Sequence, residues 1–207
     1  MVFDESFKTI IIALLGGLIP ALLWLWFWLK EDKERPEPRG LIITTFLIGM
    51  ASVMLVLPLE EMARKFISDG PVLTIVWAAI EEVIKLFVVA IIAFRTAYVD
   101  EPVDFAIYLI SGALGFAALE NALFLMHPLQ LNETTVSLLT GNLRFLGATL
   151  LHAVASGFIG IFMGLAFFKG KSTKSIYLVI GVLTAIVLHS LFNFFIIGNN
   201  GENFFAV

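Results

Sequence analysis

The stretch Trp77-Ala78-Ala79-Ile80-Glu81-Glu82-Val83-Ile84-Lys85-Leu86-Phe87-Val88-Val89 decides how this chain folds. It sets two carboxylates and an amine inside a run long and apolar enough to cross a bilayer. A charged side chain at the bilayer centre costs at least ~2.5–3.5 kcal/mol on the most lenient insertion scale, so three within five residues need pairing, neutralisation or water. A purely structural Glu-Glu pair is ordinary on a soluble helix and is the weaker reading inside a span. The stretch therefore reads as a functional site, and the remaining helices as the shelter that completes it.

The composition agrees. Of 207 residues, 59% are hydrophobic and only 14% charged, with a mean hydropathy of +0.97, far from the balance of soluble domains. The expected fold is all-α, a polytopic membrane helix bundle of about six transmembrane helices plus one short interfacial helix, forming a single domain over residues 1–207. The bilayer is its first partner. The net charge of -4 and the lack of a basic stripe give no sign of nucleic acid, and the absence of cysteine excludes disulfides and thiolate chemistry.

Outward from the central stretch, the spans fall at about 8–29, 41–57, 72–95, 104–127, 142–168 and 175–198, each able to cross ~30 Å of hydrocarbon at ~1.5 Å per residue. Trp24, Trp26, Trp28 and Lys30 close the first in the manner of a membrane interface. Asp4 and Glu5 beside Lys8 do not resemble the basic start of a cleavable signal. Pro58 opens a segment of about 59–69 in which Leu59, Met62, Ala63, Phe66 and Ile67 alternate with Glu60, Glu61, Arg64 and Lys65, predicting the interfacial helix. Lys30, Lys33, Arg35, Arg39, Arg95, Lys169, Lys171 and Lys174 lie after spans one, three and five. Lys8, Arg64, Lys65 and Arg144 lie on the other side. This asymmetry puts both termini outside a cell membrane that the chain crosses several times.

That topology fixes the depth of the buried polar residues. Glu81, Glu120, His152 and His189 all fall about 10–15 Å below the outer boundary, on four different spans. The lines His152-Ser156-Gly160-Gly164, Gly181-Ala185-His189-Asn193 and Gly112-Phe116-Glu120 stack them with mostly small residues at helical spacing, the mark of faces turned toward other helices. Glu81 and Glu82 point ~100° apart on a helix. One is therefore expected to do chemistry while the other pairs with Lys85, and Glu81 is the expected reactive group.

His152, His189 with Asn193, and Glu120-Asn121 are further candidates, each also explicable singly as a hydrogen-bonded packing residue. Arg144 reads as an interfacial anchor or a supporting residue, and His127 as the start of a loop. Asn132-Glu133-Thr134 fits a glycosylation pattern that carries no weight alone.

Taken in order, Glu81-Glu82-x-x-Lys85, Phe116-x-x-x-Glu120-Asn121, His152 and His189-x-x-x-Asn193 resemble the PrsW family of intramembrane proteases, relatives of the CAAX prenyl endopeptidases and bacteriocin-processing membrane proteins. Glu34-Arg35-Pro36-Glu37-Pro38 resembles that family's signature after the first span. Two departures from the CAAX pattern stand out. Glu120 occupies a histidine position, and Lys85 lies one residue before the expected arginine.

The resemblance implies endoproteolysis of a membrane-anchored protein substrate such as an anti-sigma factor, cut on the extracytoplasmic side. It implies Glu81, Glu82, Glu120, His152, His189 and Asn193 as catalytic residues, with Lys85, Phe116 and Asn121 in support; Arg144 is added as a supporting residue from its place at the start of its span alone. A glutamate-activated water needs no cofactor. If a metal takes part, Zn²⁺ is the candidate, with Glu81, Glu120, His152 and His189 as candidate ligands, although the zincin pattern His-Glu-x-x-His is absent. A proton-coupled transporter and a noncatalytic membrane scaffold are the competing readings of the same polar layer.

Overall fold

The structure is a computed structural model that describes residues 2–31, 35–130 and 147–200. These residues form α1 (Val2–Glu31), α2 (Arg39–Phe66), α3 (Pro71–Ile92), α4 (Asp104–Gln130), α5 (Thr149–Leu165) and α6 (Lys171–Asn200), with no strand among them. Four segments are long and apolar enough to cross a membrane on length and composition: Phe7–Lys30, Arg39–Phe66, Asp104–Met126 and Lys171–Phe195. The protein is a multi-pass membrane protein. α3, with 22 residues, reaches ~33 Å and is set apart by its three internal charges. α5 is the shortest, at 17 residues.

α4 is the central post, packed against α1, α2 and α5. Of its apolar window 72% is buried inside the protein, against 22–39% for the other three long spans. Small residues permit this centrality. A Cβ on Gly49 of α2 would strike the carbonyl of Gly112 on α4, and one on Gly160 of α5 would strike the backbone of Ala106. In lipid, where apolar side chains gain little by leaving the solvent, such close backbone approach is a main source of helix association. α3 packs on α2 and α6, closing the bundle around its charged face. Outward faces carry Ile43, Leu47, Val83, Phe87, Leu183 and Val187, all exposed, as a lipid-facing surface requires.

One expectation requires correction. Residues 59–66 are not a separate interfacial helix, because α2 runs unbroken through Pro58 to Phe66. Pro58 removes one N–H, but a proline inside a membrane helix is tolerated where neighbouring helices re-satisfy the freed backbone. Glu60, Glu61 and Arg64 therefore continue the inner stripe of a spanning helix. Similarly, α4 continues past His127 and Pro128 to Gln130, where a loop was expected. Arg144 and Asn132-Glu133-Thr134 lie outside the described residues.

The loops after α1 and α3 meet at one end of the bundle. Arg35 Nε lies 3.1 Å from Glu101 Oε1, and the Tyr108 hydroxyl on α4 donates to the Glu37 carboxylate. Asp104 Oδ2 accepts the N–H groups of Asp100 (2.8 Å) and Glu101 (2.6 Å), closing the turn into α4.

Candidate active site

The charged face of α3 points into the bundle. Glu82, whose side chain is fully buried, accepts three hydrogen bonds: from Lys85 Nζ at 2.6 Å, from Ser156 Oγ at 2.8 Å and from His189 Nδ1 at 2.9 Å. Its donors come from α3, α5 and α6. Glu82 thus resolves the cost of burying a carboxylate and an ammonium together, by pairing them and filling the remaining acceptor sites. Glu81, next in sequence and 5% exposed, is placed differently. Lys85 Nζ is 3.9 Å from its Oε2, which is buried and has no hydrogen-bond partner.

The same ammonium reaches across to α5, where Lys85 Nζ lies 3.0 Å from His152 Nδ1. An ammonium only donates, so Nδ1 of His152 is the acceptor and its proton sits on Nε2. Nε2 is 3.0 Å from Glu120 Oε2, a carboxylate that takes this proton's hydrogen bond. His189 is set the other way round. Its Nδ1 faces Glu82, which only accepts, so Nδ1 carries a proton and Nε2 is turned toward Glu81 Oε1 at 3.8 Å. The two imidazoles meet edge to face, with centroids 5.0 Å apart. Phe116 completes the packing, with its ring 5.4 Å from that of His152 and its face 4.9 Å from Lys85 Nζ.

Glu81, Glu120, His152, His189, Asn193 and Phe116 all line one cavity of about 210 Å³ between α2, α3, α4, α5 and α6. Donor atoms from Glu81, His152 and His189 lie within 4.8 Å of one another, close enough for a single ion to hold. Asn121, although expected nearby, points elsewhere: its Nδ2 donates to Thr149 Oγ1 at 2.9 Å and ties α4 to the start of α5.

The cavity also contains residues that sequence reasoning did not assign to it. Glu60, Glu61 and Arg64 from α2 and Trp77 from α3 belong to its wall, and Trp77 Nε1 donates to the Glu60 carbonyl at 3.2 Å. The available signal was the continuity of the α2 stripe Val53, Val56, Glu60 and Arg64 at helical spacing across Pro58.

A sequence profile for the group described as PrsW family intramembrane metalloprotease matches residues 37–207. The chain is 27% identical over 190 residues to Protease PrsW of Halalkalibacterium halodurans, covering 87% of this chain and 81% of that one. It is 29% identical over 188 residues to Protease PrsW of Geobacillus kaustophilus, with coverage of 88% and 78%. With Protease PrsW of Bacillus subtilis it shares 24% identity over 183 residues, with coverage of 86% and 80%. No solved structure matches the chain.

Proposed function

The chain belongs to the PrsW family of intramembrane metalloproteases, and from that membership we propose that it hydrolyses a peptide bond of a single-span, membrane-anchored protein, such as an anti-sigma factor, from the extracytoplasmic side. The observation that carries this reading is the unbonded Oε2 of Glu81, held beside two histidines at the wall of one cavity.

In the proposed reaction Glu81 takes a proton from a water in the cavity as that water attacks the scissile carbonyl. A base must lie within hydrogen-bond reach of its water, and Glu81 has a free oxygen there because Glu82 carries the pairing with Lys85. The His152–Glu120 pair stands beside it, and its Nε2 proton is already shared with a carboxylate. Asn193 and, through a protonated Nε2, His189 line the same cavity and supply donors for the developing oxyanion, a role worth ~2.7–4 kcal/mol per donor. Low local dielectric strengthens each of these interactions.

A metal-assisted version has its own supporting observation, because the residues fit an ion. Glu81, His152 and His189 offer one carboxylate and two imidazoles within 4.8 Å of one another, the three-ligand set of catalytic zinc sites. The Glu82–His189 hydrogen bond is the kind of outer contact that orients a metal-bound imidazole. These three residues would hold Zn²⁺, which when bound supplies a Lewis acid and a water of lowered pKa. To join such a set His152 would give up its hydrogen bond with Lys85 or with Glu120, and Lys85 would keep its pairing with Glu82.

The test is incubation of the purified chain in liposomes with candidate single-span regulators, wild type beside Glu81→Gln, with and without chelator. Cleavage by the wild type alone supports the protease reading. A stable complex that leaves the regulator uncut, and that Glu81→Gln does not alter, points to a scaffold instead. Turnover that survives exhaustive chelation rejects the metal-assisted version.

A further inference from the structure

The reaction described above gives Glu60 no task, yet its surroundings are those of a binding position. On α2, Val53, Val56 and Leu57 form an apolar strip along the cavity wall that ends at Glu60. Val53 and Val56 are 1% exposed and belong to the interior, while Leu57, 43% exposed, forms the strip's outer edge at the cavity mouth. The backbone of Glu60 is fixed by the Trp77 Nε1 hydrogen bond to its carbonyl. Its half-buried carboxylate makes no hydrogen bond or ion pair among the described residues.

Among the described residues, the cations nearby are already engaged. Arg64 is the one Lys or Arg among the described lining residues, and its Nε faces outward to Asp69 Oδ1 at 3.5 Å. Lys85 is held by Glu82. Across the cavity, the buried Oε2 of Glu81 is a second carboxylate oxygen without a hydrogen-bond partner. The space between them therefore favours a visiting cation. A partly desolvated carboxylate lacking a partner raises the free energy of the empty site, and a matching donor lowers it.

Resting on the proteolytic reading, we propose that Glu60 and the strip Val53, Val56 and Leu57 form a subsite that receives a Lys or Arg side chain of the substrate next to the bond that is cut. The apolar stem of such a side chain lies along the valines and leucine while its charged head meets the carboxylate. Basic residues are common at the ends of membrane spans, where an intramembrane protease meets its substrate. The same carboxylates repel an acidic side chain, so the subsite selects by rejection as well as by attraction.

The experiment uses the full chain in nanodiscs of uncharged phosphatidylcholine and a labelled single-span peptide. The peptide carries Lys, Gln or Glu in turn at each position of the polar segment flanking its apolar stretch, and binding is read by fluorescence anisotropy. At one or two adjacent positions, Lys peptides bind the wild type about ten-fold more tightly than Gln peptides, the worth of one charge-assisted hydrogen bond. Glu60→Gln abolishes that difference, and Glu60→Lys reverses it in favour of the Glu peptide, a gain that a misfolded variant does not produce. Equal binding of Lys and Gln peptides at every position, no binding by either, or a Lys preference that persists in Glu60→Gln overturns the proposal. Cleavage assays on the same peptides separate the two readings: charge-selective binding without turnover sinks only the protease assignment, and turnover without charge selectivity sinks only the subsite.

Discussion

Lys85 Nζ lies 2.6 Å from Glu82 Oε1, one helical turn away on α3. Through this contact two adjacent glutamates of identical chemistry acquire different tasks, because the neighbour of the paired residue is left with an oxygen that accepts no hydrogen bond and has Lys85 and His152 only at 3.8–3.9 Å.

The pairing predicts opposite effects from two conservative changes. Glu82→Gln leaves a buried ammonium without its counter-charge and lowers stability by about 3–5 kcal/mol, whereas Glu81→Gln removes no close pair and leaves stability nearly unchanged. Thermal unfolding of both variants in one detergent measures this. Equal losses would show that Lys85 is shared evenly between the two carboxylates.

The hydrogen bonds assign histidine protons. His152 should carry its proton on Nε2 and leave Nδ1 bare, while His189 carries one on Nδ1. Ring nitrogen shifts from protein labelled with ¹⁵N-histidine report this directly. With the Glu120 carboxylate still accepting from Nε2, Lys85→Met alone should keep the Nε2–H tautomer, and only the double variant Lys85→Met/Glu120→Leu should spread that residue over both tautomers. An Nδ1–H signal for His152 in the wild type contradicts the network.

Helix contact makes a prediction at two glycines of the same helix. Gly49→Ala drives a methyl group into the carbonyl of Gly112, whereas nothing lies within 4 Å of the corresponding position at Gly40. The first should cost about 1–3 kcal/mol through overpacking, and the second at most a few tenths by comparison with ordinary surface changes. Unfolding midpoints in detergent compare them, and a harmless Gly49→Ala would mean that α2 and α4 sit farther apart.

Metal content offers a separate check. If the donor set holds zinc, purified wild type retains about one equivalent after dialysis, and His189→Gln retains far less, since loss of one of three ligands removes most of the affinity. Elemental analysis of both proteins decides it. Equal content in the two proteins rules out His189 as a ligand.

The legible part of the site was the part that is expensive in lipid. Glu81, Glu82, Lys85, Glu120, His152 and His189 interrupt apolar spans, and the offsets of Glu81, Glu120, His152 and His189 along their spans place those four at one depth. Their partners in the structure are one another. Glu60 escaped because its flanking residues alternate like those of a surface helix and because Pro58 resembles a helix boundary. Only the packing of α2 against α3 and α4 shows that the stripe is interior. Asn121 was expected beside Glu120 as a supporting residue of the Phe116-x-x-x-Glu120-Asn121 pattern; neighbouring positions on a helix diverge by ~100°, and its Nδ2 donates to Thr149 Oγ1.

The most direct test is single-turnover cleavage of a membrane-anchored substrate by wild type and by Glu81→Gln in liposomes, with both proteins confirmed as folded. The account predicts that the glutamine variant binds the substrate normally and cleaves it about 10²–10⁴-fold more slowly, the usual cost of removing a catalytic base. Cleavage by Glu81→Gln at the wild-type rate would contradict it.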